Sequence, residues 1–201
     1  NHPLEIPRLL MEQHVDGVLM VGMYLDTNIV QMLRSQSLPV VLVDAYAVGD
    51  PFDSVVIENY AGAYRAVTHL IEAGHRQIAI VGSSPEAYPS ILERRRGYLQ
   101  ALSDNGLPPI FGDCLLHPDE VLPVIPELLS THPGITGILA CNDDVAIATI
   151  RMAQKLGWRV PGDLSVVGFD DIALAQHVMP PLTTMGVDMM GMGRLAAQLL
   201  L

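Results

Sequence analysis

The chain is short of cysteine, short of basic residues and without a long apolar run, and each shortage closes off a class of function. Two cysteines in 201 residues, Cys114 and Cys141, cannot build the disulfide framework of a small secreted domain, and a chain of this length carries a core of its own. Both sit in apolar, strand-like runs, so they read as free buried thiols that pack as small hydrophobes, which points to a cytoplasmic protein. Lys and Arg number 11 against 22 Asp and Glu, a formal net charge of -11, and so acidic a surface repels phosphate backbones. That excludes a nucleic-acid contact face on these residues. No apolar stretch approaches the roughly 18 uninterrupted residues of a membrane helix, and no repeat or low-complexity tract occurs. The seven histidines are scattered, none at metal-ligand spacing beside a second ligand, so neither a metal nor a cofactor is expected.

Enzyme signatures are missing in the same way. Gly82-Ser83-Ser84 lacks the spacing and the lysine of a phosphate-binding loop, and no Gly-x-Ser-x-Gly elbow is present. Asp143 and Asp144 are adjacent, so on a helix they diverge by about 100°, and acid at a helix N-terminus has an ordinary electrostatic reason. The chain is read as a binding protein and not as an enzyme. It opens on Asn1 rather than Met, and residues 193–201 stop inside an apolar helical pattern without a capping signal, so both ends read as cut.

What is present is an alternation. Apolar, β-branched runs at 17–21, 40–43, 55–57, 78–81, 135–140 and 164–168 read as buried strands. Amphipathic stretches of helical period lie between most of them: 61–73, with Ala66, Val67, Leu70 and Ile71 on one face and Gly74 at its end, then 94–105 ending at Gly106, and 143–156 ending at Gly157. Such alternation predicts an α/β architecture with doubly wound parallel sheets, whose ligands bind beyond the carboxyl ends of the strands. Those ends fall at Val21-Gly22, Asp44, residues 82–84, Cys141-Asn142-Asp143 and residues 168–171.

Three segments carry candidate chemistry. In the octet 164–171 a buried strand delivers Asp170 and Asp171. One carboxylate can accept hydrogen bonds from a ligand while the other caps the helix that comes next; Asp170 is taken as the ligand group and Asp171 as the cap. The loss of Asp170 is then expected to weaken binding while leaving the fold intact, and the loss of Asp171 to cost the stability of a helix cap. Asn142 offers a donor and an acceptor suited to a sugar hydroxyl, and equally an N-cap. Residues 93–98 (Glu-Arg-Arg-Arg-Gly-Tyr) place three cations at an expected helix start, against the macrodipole. Arg94 pointing into the crevice suits a bidentate contact, while Arg95 or Arg96 fits a solvated basic turn.

Taken in order, Val15-Asp16-Gly17-Val18-Leu19, Leu38-Pro39-Val40-Val41, Gly62 to Leu70 with Gly74-His75-Arg76, Glu93 to Tyr98, Asn142-Asp143, Val160-Pro161, Asp163 to Asp171 and Pro181-Leu182-Thr183-Thr184 resemble the LacI/GalR regulators over nearly the whole chain. The resemblance implies two Rossmann-like subdomains, periplasmic-binding-protein-like, with a small effector held between them. The chain would cross near Glu58 and return near Met185, making 1–58 with 187–201 an incomplete N-terminal subdomain and 59–186 the C-terminal one. It further implies that Arg94, Asn142 and Asp170 grip effector hydroxyls and that Asp44 is another cleft position. Val187 stands where sugar-responsive members often carry a polar residue. The loop at Leu116-His117 has no Trp, Tyr or Phe to stack on a ligand, leaving His117 as the substitute. The partners so implied are a sugar-like effector, operator DNA bound through a helix-turn-helix head preceding Asn1, and a second copy in a homodimer that places Ile147 and Val178 near the partner. Two other readings share the fold: a periplasmic sugar-binding protein of an uptake system, and an enzyme on a doubly wound sheet.

Overall fold

The computed structural model describes residues 15–36, 38–49 and 52–201. These fall into two compact units, one reaching to Ile57 and resuming at Asp188–Leu201, the other Glu58–Val187. The part of the first unit that precedes Val15 lies outside the described residues. No helix among the described residues is long and apolar enough to cross a membrane.

In the first unit, β1 (Val18–Val21), β3 (Val40–Val43) and β5 (Asp53–Val55) form a parallel sheet in the order β1-β3-β5, beside a small parallel pair of β2 (Tyr24–Leu25) and β4 (Tyr46–Ala47). Side chains of β3 alternate between two cores, as the period of two requires. Val40 and Leu42 pack with Val30 and Leu33 of α1 (Thr27–Ser35), whereas Val41 and Val43 pack with Ala196 of α6 (Met189–Leu200). Asp26 starts α1 by accepting a hydrogen bond from the Ile29 amide at 2.9 Å, an ordinary side-chain cap.

The second unit is a five-stranded parallel sheet in the order β10-β9-β8-β6-β7, built from β6 (Ile78–Val81), β7 (Ile110–Gly112), β8 (Gly137–Ala140), β9 (Ser165–Asp170) and β10 (Thr183–Gly186). On one face Ala79, Val81, Ile138, Ala140 and Val166 meet the apolar sides of α4 (Pro118–Thr131) and α5 (Asp143–Lys155). Alternation turns Ile78, Ile80, Leu139 and Val167 the other way. There α2 (Asn59–Glu72) packs against β8, β9 and β10 and against α3 (Pro89–Asp104). The α2–α3 contact closes at Gly97, where an added Cβ would lie 2.2 Å from the Tyr60 carbonyl oxygen. Tyr98, fully buried, donates its hydroxyl toward the carbonyls of Ile78 and Ile110 and accepts from the Ile110 amide, tying β6 to β7 at their amino ends.

Two local expectations shift. The third strand of the first unit covers Asp53–Val55 rather than 55–57, because its ladder runs in register with Val41–Val43. The helix expected from Arg94 begins at Pro89, whose fixed φ suits a first helical position. Arg94 is therefore the sixth residue of α3, and its cation does not sit in the first turn against the macrodipole.

Candidate functional site

In the second unit the chain runs from β6 outward to β7, then returns to the opposite side of β6 for β8. The order reverses between β6 and β8, and the crevice at such a switch point is where doubly wound sheets hold ligands. The carboxyl ends of these two strands lead into Gly82-Ser83 and Cys141-Asn142, and α3 reaches over them.

Arg94 is only 4% exposed, so its charge needs partners on several sides. Its Nε donates to Asn59 Oδ1 at 2.8 Å, Nη1 to the Cys141 carbonyl, and Nη2 to Asp170 Oδ1 at 3.2 Å. The guanidinium lies 3.7 Å from the centre of the Phe169 ring, a stacking contact suited to a desolvated cation. Three of its five N–H groups are thus engaged within the protein. Asp170 keeps 23% of its side chain exposed and turns that part outward.

Asn142 stands directly after the carbonyl that Arg94 holds. Its Oδ1 caps α5 by accepting from the Val145 amide at 2.8 Å, and its side chain is half-buried. The cap fixes the side chain, so both readings of this residue are compatible: the acceptor is engaged, the amide donor is not used by that bond. Arg94 and Asp170 are thus joined directly, and Asn142 through the backbone of Cys141.

The other candidates stand on other elements. His117 caps α4, accepting from the Asp119 amide at 3.3 Å, with its side chain 66% exposed. Val187 comes directly after β10 and is half-buried. Asp44 ends β3 in the first unit, with φ at 45° and its amide donating to the Val55 carbonyl at 2.9 Å.

Three expectations need correction. Asp171 does not cap a helix: the next element is a short 3-10 turn, Ala173–Gln176, whose cap position is Ile172 and which has no side-chain cap. Asp170 and Asp171 instead occupy a left-handed turn, with φ of 113° and 56°. The group that satisfies the turn is Asp143, completely buried. It accepts from the Ile172 amide at 2.9 Å and from the Thr184 hydroxyl at 2.5 Å, and burial pushes its carboxyl above the usual range. Asp143 is thus more than acid enriching a helix start. Arg95, finally, does not belong to a solvated turn. It donates to Asp113 at 2.5 Å and to the Ser83 carbonyl, and stacks 3.9 Å from the Phe111 ring, whereas Arg96 is exposed.

Asn59, Phe169, Asp143 and Thr184 were not picked out as site residues by sequence reasoning. Phe169 lay inside the octet already singled out. Asn59, the first residue of α2, carried no signal beyond its nearness to the crossing at Glu58. Both cysteines are free and buried, and burial pushes the Cys141 thiol up to about 12. Among the described residues no group of three or more His, Cys, Asp or Glu is placed to hold a metal ion.

A family model described as a periplasmic binding protein-like domain matches residues 67–201. The transcriptional regulator CelR of Thermobifida fusca, an HTH-type regulator, is 35% identical over 199 residues, covering 95% of this chain and 57% of CelR. The chain belongs to the LacI/GalR family. Another LacI/GalR relative, the ribose operon repressor of Halalkalibacterium halodurans, is 33% identical over 192 residues, covering 96% of this chain and 56% of its own. Among solved structures, the complex of CelR with cellobiose superposes with a TM-score of 0.85 at 34% identity, covering 96% of this chain and 61% of that one. A LacI-family regulator from Enterococcus faecium with bound ribose also gives 0.85, at 26% identity, covering 95% and 72%. The periplasmic-binding-protein-like fold that the resemblance implied is therefore the fold of this LacI/GalR chain. The chain spans somewhat over half the length of the curated relatives it matches.

Proposed function

We propose that this chain is the effector-sensing core of a cytoplasmic transcription regulator. It binds a neutral, sugar-like molecule through Arg94, Asn142 and Asp170, with Asp44, His117 and Val187 as further ligand contacts. The observation that carries this reading is the Arg94–Asp170 pair at the switch point of the second sheet, joined at 3.2 Å with the carboxylate 23% exposed beside the buried guanidinium. Such a neutralised pair suits vicinal hydroxyls, each of which donates and accepts. Relatives found with cellobiose and with ribose support the same ligand class. The chain binds its ligand and does not transform it.

Operator DNA would be held by a helix-turn-helix segment outside these residues, in keeping with the HTH-type relative and with a net charge of -11 here. Effector binding then shifts the population of two states that differ in DNA affinity. A homodimer is part of the reading. Ile147, which the resemblance places near the partner, is itself buried. The support comes instead from Leu174 and Met179, 46% and 83% exposed, which line a groove of about 280 Å³ with Ile147 and Val178.

The test is calorimetric titration and thermal unfolding of the chain against sugars, sugar acids, polyols and nucleobases. A sugar present at 100 times its Kd should add about 2.7 kcal/mol to stability, and Asp170→Ala should remove most of that gain. Stabilisation by nucleobases alone, or by nothing in the panel, would overturn the assignment. Sedimentation of the chain and of Leu174→Asp checks the dimer, which a monomeric parent chain would refute.

A further inference from the structure

We propose that Asp143 is a positioning residue of the effector site: it holds the strained turn that carries Asp170, and so fixes the distance between Asp170 and Asn142. The inference rests on the effector-binding reading above, but the geometry that motivates it does not.

Two successive non-glycine residues, Asp170 and Asp171, have φ of 113° and 56°. A backbone of that kind persists only where the surroundings over-determine it. Here one polar group does so through two hydrogen bonds. Asp143 opens α5, next to Asn142, so whatever it grips is fixed relative to Asn142. Its Oδ2 accepts from the Ile172 amide at 2.9 Å, the first amide after the turn. Its Oδ1 accepts from the Thr184 hydroxyl at 2.5 Å, and the same Thr184 oxygen lies 3.4 Å from the Asp171 amide that donates to it. The chain of donors, amide to hydroxyl to carboxylate, runs one way and ends on Asp143. The two amides that follow Asp170 are therefore tied, one directly and one through Thr184, to one carboxylate.

The surroundings are shaped around it. Gly168 pairs in register with Thr184, and a Cβ on Gly168 would come 2.2 Å from Asp143 Oδ1, so β9 leaves room for the carboxylate only because it carries no side chain there. Asp143 itself is completely buried and offers no surface to a ligand. It acts through Asp170, whose own outer contact is Arg94.

The experiment compares the chain with Asp143→Ala and Thr184→Val by NMR and by titration with cellobiose and with D-ribose. In Asp143→Ala the Ile172 amide should exchange about tenfold or more faster, as loss of a bond to a charged acceptor implies, and the HN–Hα couplings of Asp170 and Asp171 should leave their left-handed values. The Ile110 amide, held by Tyr98 across the same sheet, serves as the control and should keep its protection. Thr184→Val, which removes one of the two bonds and keeps the shape, should move the same signals less, and it decides the matter if Asp143→Ala does not fold. Unchanged couplings and Ile172 protection in both variants would overturn the proposal. For whichever sugar the parent chain binds, Asp143→Ala should weaken affinity by about tenfold, and that loss should vanish in an Asp170→Ala background; a loss that persists there would refute action through Asp170. If the parent chain binds neither sugar, the ligand reading fails on that arm, while the couplings still report whether Asp143 holds the turn.

Discussion

Replacing Asp170 tests whether the site and the fold share a residue. Sequence reasoning alone treats Asp170 as a crevice group whose loss leaves the fold intact. The structure supplies two opposing reasons to revise this. Asp170 accepts from a guanidinium that is only 4% exposed, and a hydrogen bond to a charged group contributes about 1.5–3 kcal/mol. The 3.2 Å separation and the 23% exposure of the carboxylate place this one at the low end of that range. Against it stands the backbone, since φ is 113°, a region that costs a residue with a Cβ about 1 kcal/mol or more and costs glycine little. Asp170→Ala keeps the strain and loses the bond, so it should destabilise by about 1.5–2 kcal/mol. Asp170→Gly loses the same bond and sheds the strain, so it should cost roughly 1 kcal/mol less than alanine. Urea unfolding at neutral pH, with unchanged slopes, measures both. A glycine variant no more stable than the alanine one would refute the strain argument, and a neutral alanine variant would refute the pairing with Arg94.

Contacts elsewhere set other outcomes. Gly97→Ala drives a methyl to 2.2 Å from the Tyr60 carbonyl and should cost about 3 kcal/mol by forcing α2 and α3 apart; an unchanged urea midpoint would contradict that close approach. Cys114 and Cys141 are buried, and burial raises both thiols, so a thiol reagent should leave the native chain unmodified and label both in denaturant. The Arg159 guanidinium bonded to Asp163 holds its carboxyl down at about 2. A carboxylate depressed in the folded state contributes stability above its ordinary value of about 3.9, lost as pH falls through the folded one. A carbon-detected NMR titration should therefore find Asp163 still ionised at pH 3, and Arg159→Ala should return it to the ordinary range.

Much of the sheet was legible because its strands are continuous apolar runs. Residues 40–43 and 78–81 are strands at those limits, and the apolar face of 61–73 is the buried face of α2. Misses have local causes. α4 carries Pro123 and Pro126 inside it, which propensity counts against a helix, yet Val121, Ile125, Leu128 and Leu129 repeat at helical spacing and are buried; packing overrides propensity there. β10 is a short edge strand of Thr-Thr-Met-Gly, exposed at its two ends and half-buried between them, with no alternation to read. At the site, type and place were visible for Arg94, Asn142 and Asp170, since strand ends and charge in an apolar context are sequence properties. The division of labour between Asp143 and Asp171 was not, because it depends on the hand of a two-residue turn, and an Asp-Asp pair tolerates a positive φ without requiring one.

The Phe169 ring sits where a Cβ on Gly62 would come within 2.7 Å, and the same ring carries the Arg94 guanidinium at 3.7 Å. Anyone who diversifies this cluster will therefore meet a lopsided target. Randomising Arg94 or Phe169 should alter the yield of folded protein first, so the survivors of a folding screen will be enriched for the parental residues. Diversity introduced at His117, whose side chain is 66% exposed, escapes that filter and should be retained among the folded survivors.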